Sequence, residues 1–153
     1  MKSKIYTVTV YENGFISWKL NGKFHREDGP AVKWANGSEA YYINDQIHRD
    51  DGPAIISSCG YKAYFRNGQR HRENGPAIKW ADGSEMYFLN GKLHREDGPA
   101  VKFVNGTEEY WLNNKQYSKE EFDKEISKRK QKTLTCENRE VMIDGVKYKL
   151  TKV

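Results

Sequence analysis

No apolar run in these 153 residues approaches the roughly 18 that a membrane-spanning helix needs. The opening Met1-Lys2-Ser3-Lys4-Ile5-Tyr6-Thr7 alternates instead of forming the apolar block of a secretory signal. The expectation is a soluble, unexported chain in the cytoplasm. Cysteine is scarce: Cys59 and Cys136 stand far apart in unlike contexts, which gives neither a disulfide framework nor a zinc-ligand spacing. Hydrophobic residues reach only 37%, too few for a thick core. Aromatics nevertheless reach 13%, with ten Tyr, six Phe and four Trp, which argues against disorder. The apolar residues must therefore form thin layers, and the length suits one domain with a small appendage. The net charge of +5 is spread through interleaved signs, a poor footprint for a surface that tracks phosphates.

What is present is a repeat. His25-Arg26-Glu27-Asp28-Gly29-Pro30-Ala31 returns at His48, His71 and His94, each 23 residues after the last. Upstream of each His stand Asn21-Gly22, Asn44-Asp45, Asn67-Gly68 and Asn90-Gly91, with a decayed fifth copy at Asn113-Asn114. A second turn series runs Asn13-Gly14, Asn36-Gly37, Cys59-Gly60, Asp82-Gly83 and Asn105-Gly106. Asn-Gly between β-formers is a hairpin signal, because a type I′ turn needs positive φ at both central residues. Each unit reads as a strand through Val32, a turn, a strand through Tyr41, a second turn and a short strand to His48.

If both turns have two residues, Val32 opposes Tyr41, Trp34 opposes Glu39 and Tyr41 opposes His48. One face then carries Val32, Trp34, Tyr41, Ile43 and His48. Trp18, Tyr64, Tyr87 and Tyr110 fill the Tyr41 slot, and Thr9, Ile55, Ile78 and Val101 fill the Val32 slot. The other face carries Tyr42, Phe65, Phe88 and Trp111 among Lys33, Lys79 and Lys102.

Over residues 5 to 117 this pattern resembles MORN repeats, whose 23-residue unit is a β-hairpin; Trp18-Lys19-Leu20-Asn21-Gly22-Lys23-Phe24-His25 carries the likeness. The departure is that the His-Gly-x-Gly stretch of those repeats is here His-Arg-Glu-Asp-Gly-Pro. The resemblance implies an elongated, mainly β antiparallel meander that serves as a scaffold or partner-binding surface. Repeat ribbons of this kind also resemble accessory proteins of bacteria and phages. That likeness implies blocking of another protein, such as a defence or toxin component, in a host cytoplasm where phage-encoded.

The repeated motif looks catalytic, but its spacing argues otherwise. Strands lie about 4.7–4.9 Å apart, so copies two or three strands away stand roughly 10 to 14 Å apart. One metal holds its nitrogens at about 2.0–2.1 Å. Consecutive strand residues also point to opposite faces, so His25 and Arg26 diverge and no nucleophile, base and orienter converge. The expectation is no enzyme, no metal and no cofactor. His is expected to pack on the Tyr41-type rings, Asp-Gly to make the turn, Pro to preset φ, and Arg to pair with carboxylates. Arg26, Arg49, Arg72 and Arg95 alternatively form an anion or partner-binding row.

In the fifth copy Tyr117 replaces His, and Ser118-Lys119-Glu120-Glu121 reads as a capping box opening a helix to about Gln131. Phe122 and Ile126 make its apolar stripe. Lys128-Arg129-Lys130 with Lys132 would complement the dipole of the helix C-terminus. Glu140-Val141-Met142-Ile143, Asp144-Gly145 and Val146-Lys147-Tyr148-Lys149-Leu150 read as a final hairpin outside the register.

The expected organisation is thus a β-repeat domain over 1–117 and a capping helix plus hairpin over 118–153. The expected function is a non-enzymatic protein-binding scaffold or inhibitor. Its contact ladder is Trp34, Tyr41, Tyr64, Trp80, Tyr87 and Tyr110, with the four arginines beside it; Tyr42, Phe65, Phe88 and Trp111 take over if that face is sealed. A second copy is a further expected partner, through the sheet face or edge. The alternative is a nucleic-acid binder that stacks bases on Tyr and Trp and sets Lys33, Lys79, Lys102 and the Lys128 run against phosphates.

Overall fold

The structure, a computed structural model, describes residues 4–137, 140–143 and 146–149. Two compact units divide the chain, Met1–Gln116 and Tyr117–Val153. In the first, strand follows strand as an antiparallel meander. A sheet of twelve strands begins with β1 (Tyr6–Val10) and β2 (Ile16–Leu20) and does not close on itself. No helix among the described residues is long and apolar enough to cross a membrane.

Each repeat contributes one hairpin to this sheet, such as Val32–Lys33 with Glu39–Ala40. It then sends out a second hairpin, Tyr42–Ile43 with Gln46–Ile47. The expected single ribbon therefore breaks at Tyr41, and by repetition at Tyr64 and Tyr87. The outer hairpins join their neighbours through single backbone bonds, with Arg49 N–H donating to Phe65 O at 3.1 Å and Gly68 N–H to Ile47 O at 2.9 Å. The series Tyr42, Phe65 and Phe88 belongs to these outer hairpins.

The two turn series differ. At the outer hairpins the loop has two residues with positive φ at both, Asn44 at 52° and Asp45 at 66°, as a type I′ turn requires. At the sheet hairpins the expected two-residue loop is wrong. Trp34 N–H bonds Ser38 O at 2.9 Å and Gly37 N–H bonds Trp34 O at 3.0 Å, so the loop holds three residues. It is a type I turn closed by a glycine bulge, with only Gly37 at positive φ (84°). Asn36 Oδ1 instead accepts the Ser38 N–H at 3.0 Å, a bond that holds the turn without positive φ at Asn36.

That extra residue moves the register by one and changes which side chains share a face. Val32 faces Ala40, not Tyr41, and Lys33, not Trp34, faces Glu39. The row across the sheet reads Ser17, Val32, Ala40, Ile55, Ala63, Ile78, Met86 and Val101. Branched residues thus alternate with small ones until Met86, and Val32, Ala40, Ala63, Ile78 and Val101 are buried. Beside this row, Ala31, Ala54, Ala77 and Ala100, the last residues of the four motifs, are completely buried. Their carbonyls accept the N–H of Trp18, Tyr41, Tyr64 and Tyr87 at 2.7–2.8 Å. A small residue ends the motif because its backbone joins the sheet there.

In the second unit, helix α1 spans Lys119–Glu137. The capping box is formed in both directions: Glu121 N–H donates to Ser118 Oγ at 3.2 Å and Ser118 N–H to Glu121 Oε2 at 2.9 Å. The helix runs past Gln131, so Lys128, Arg129 and Lys130 lie in its middle and not in its last turn. Arg129 pairs with Glu125 one turn back at 3.1 Å. Phe122 is buried and Ile126 half-buried. Glu140–Ile143 pairs antiparallel with Val146–Lys149; the expected turn Asp144-Gly145 and Leu150 lie outside the described residues.

Candidate functional site: a row of clefts between the motifs

The ring expected to meet His meets Arg instead. The Arg26, Arg49, Arg72 and Arg95 guanidinium carbons stand 4.4, 4.0, 3.9 and 4.1 Å from the ring centroids of Trp18, Tyr41, Tyr64 and Tyr87. A planar cation over a π face is attracted by the ring quadrupole. Three of these arginines also donate through Nε to the aspartate two residues on, at 2.8 Å to Asp28, 2.8 Å to Asp51 and 2.7 Å to Asp97. All four reach the proline carbonyl four residues on, at 3.2–3.5 Å. The motif glycine makes room for this: a Cβ at Gly52 would stand 3.1 Å from Arg49 Cζ.

Histidine serves the next copy. Nδ1 of His25, His48, His71 and His94 accepts the backbone N–H of Asn44, Asn67, Asn90 and Asn113, the first residue of the following type I′ turn, at 3.1–3.2 Å. At His48, His71 and His94 this places the hydrogen on Nε2, which stands 3.2, 3.5 and 3.8 Å from the carboxylate two residues on; His71 Nε2 is buried and makes no hydrogen bond, and His25 Nδ1 lies 2.8 Å from Asn44 Oδ1 as well. His, Arg and, in three copies, Asp are thus engaged in bonds that shape the chain, and Gly leaves the arginine its room.

These bonds hold the arginine-paired carboxyls down. The hydrogen bond from Arg26 keeps Asp28 below the usual aspartate value, and Arg49 and Arg95 do the same for Asp51 and Asp97. Glu27 is lowered first by its bond from Lys4 and then by His25. The third motif lacks this partner, having Asn74 for Asp, and there Gly75 alone of the four motif glycines takes positive φ, 122°. Asn74→Asp is expected to restore the Arg72 pair and raise stability modestly, by under about 1 kcal/mol for so exposed a pair. A carboxylate whose folded pKa lies below its unfolded one contributes above the unfolded value, about 3.9, and loses the contribution as pH falls through the folded one. Thermal unfolding should show the gain at neutral pH and none near pH 2; the same gain at both would refute the pairing.

Between successive motifs lie clefts of about 490, 430 and 330 Å³. Arg26, Tyr41 and Arg49 line the first, Arg49, Tyr64 and Arg72 the second, and Arg72, Tyr87 and Arg95 the third. The structure thus brings three expected contact tyrosines together with all four expected arginines. Trp34 and Trp80 lie elsewhere, at the sheet turns, edge-on to Phe15 and Tyr61 at 6.0 Å. Tyr110 bonds Glu108 Oε2 at 3.2 Å and has no motif arginine to meet, because the fifth copy lacks one.

The charge presented by the clefts is the reverse of an arginine row. The Arg26, Arg49 and Arg95 side chains are about one-fifth exposed, whereas Asp28, Asp51 and Asp97 are about four-fifths exposed. Glu27, Asp50, Glu73 and Glu96 are also more than half exposed. In the middle cleft, Arg66 spans two successive motifs, its Nε 3.5 Å from Asp50 and its Nη1 3.6 Å from Glu73. The positions 23 residues either side are Ile43 and Leu89, which line the first and third clefts. Arg66 lies outside the repeated motif, and its departure from the repeat is the signal that marks it.

The lysines expected to meet phosphates are engaged across the sheet. Lys33 lies 3.0 Å from Glu39 and Lys79 3.4 Å from Glu85, each directly opposite in register, and Lys102 faces Glu108.

No protein-family model matches the chain, and no curated protein matches it.

Proposed function

We propose that this chain is a non-enzymatic protein-binding scaffold built from MORN-type repeats, and that its cleft row takes a lysine- or arginine-bearing segment of a partner. The observation that carries this reading is Arg66, which bridges Asp50 and Glu73 within the middle cleft and acts as a built-in example of the guest. The first and third clefts offer the same carboxylates above Ile43 and Leu89, a polar rim over an apolar wall. The 23-residue period would let one basic segment engage several clefts. Such a surface suits a blocking protein of the accessory kind, acting by occupancy.

The nucleic-acid alternative is less favoured, because an outward carboxylate rim repels phosphate and the motif arginines face inward. Titration of the full chain with oligolysine and oligoglutamate tests the choice. Arg66→Leu should open the middle cleft and strengthen oligolysine binding. Asp50→Lys with Glu73→Lys should weaken it at least about tenfold, and the affinity should fall steeply with salt. Equal affinity for both peptides, or tighter binding to duplex DNA with a steep salt slope, would refute the proposal.

A further inference from the structure

β1 is the terminal strand of the twelve-stranded sheet, and among the described residues no strand pairs with its outer edge. It pairs with β2 over Tyr6–Val10, with Val8 opposite Trp18. Tyr11 N–H bonds Phe15 O at 2.9 Å, and antiparallel bonding alternates from there, so Tyr11, Thr9 and Thr7 bond inward. Trp18 N–H accordingly points away from β1, to Ala31 O at 2.8 Å. The N–H and C=O groups of Tyr6, Val8 and Val10 therefore point out of the sheet. Around them, Ile5, Val8, Val10 and Tyr11 are large hydrophobic residues left exposed. Within the strand Tyr6–Val10 there is no proline, no bulge and no charged residue.

We infer that β1 pairs antiparallel with β1 of a second copy of this chain, about a two-fold axis through Val8. The argument is self-complementarity of the strand. An axis at Val8 sets Tyr6 against Val10 of the second copy and Val8 against Val8, which joins outward-bonding residues only to outward-bonding residues. It also sets Thr7 against Thr9, a favourable cross-strand pair, and the exposed Ile5 against the exposed Tyr11. At both ends it places Lys4 opposite Glu12, so the charges are complementary as well. A two-fold interface needs one patch that complements itself, and this strand does so along its full length. This edge is separate from the cleft row, and either inference can fail without the other.

The test is sedimentation equilibrium of the full chain over rising concentration. The wild type should move from one chain mass towards two. Val8→Pro should remain at one chain mass at all concentrations while keeping its β-sheet circular dichroism, because the Val8 N–H makes no bond to β2 and proline is tolerated on an outward-facing edge. Lys4→Glu and Glu12→Lys should each weaken association about tenfold by placing two like-charge pairs in the interface, and the two changes together should restore it. Lys4 also pairs with Glu27 in its own chain, so Glu27→Gln serves as the control and should leave association unchanged. A wild type that stays at one chain mass, a Val8→Pro protein that still dimerises, or a double charge exchange weaker than either single change would each overturn the inference. A wild type that recruits a different protein's strand but never itself would do so too.

Discussion

Ala77→Leu is expected to lower the free energy of unfolding by about 3 kcal/mol, the upper part of the range for overpacking a filled site. Ala77 is completely buried and sits beside Ile78, itself buried. Its carbonyl accepts the Tyr64 N–H at 2.7 Å, so the backbone cannot retreat to admit a larger side chain without losing a sheet bond. Ala31 and Ala100 meet the same conditions beside the buried Val32 and Val101, and leucine at Ala100 should cost a similar amount. Urea unfolding followed by circular dichroism measures this: the midpoint should fall with the slope unchanged. An unaltered midpoint would show that the alanine row has spare room, and the account of why the motif ends in a small residue would fail.

Arg49→Ala is expected to cost about 2 kcal/mol, from a stacked ring contact of roughly 0.5–2 kcal/mol and a charge-assisted hydrogen bond of roughly 1.5–3 kcal/mol, discounted for the solvent that reaches Asp51. Arg49 ties three places together: the Tyr41 ring at 4.0 Å, Asp51 at 2.8 Å and the Pro53 carbonyl at 3.4 Å. Arg49→Lys should recover little of the loss, because an ammonium cannot lie flat on the ring while bonding two acceptors. Asp50→Asn, on the exposed side of the same motif, should leave the free energy of unfolding within about 0.5 kcal/mol of the wild type. If Arg49→Lys were as stable as the wild type, the planar clamp would be ruled out as the role of the motif arginine.

The local features were legible because they depend on local geometry. The 23-residue period, the hairpins, the type I′ turns at Asn21, Asn44, Asn67 and Asn90, and the capping box at Ser118 each follow from residues within a few positions of one another. The sheet turns were not legible, because Asn-Gly fits two loops, type I′ and type I with a glycine bulge. Cys59 in the Asn36 slot marked the difference, since cysteine suits the second loop, where that position keeps negative φ.

Other features were decided only in three dimensions. Arg and His are neighbours in the motif and equally able to lie on a ring. Arg takes the ring of its own repeat eight residues back, and His reaches 19 residues forward to the next turn. Arg66 and the carboxylates it joins belong to successive motifs and meet only when the outer hairpins stack. Sequence by itself determined the turns and the repeat, because φ preferences and periodicity act along the chain. Tertiary structure decided the register, the arginine clamp and the sign of charge facing outward, because those depend on which side chains the stacked repeats bring within bonding distance.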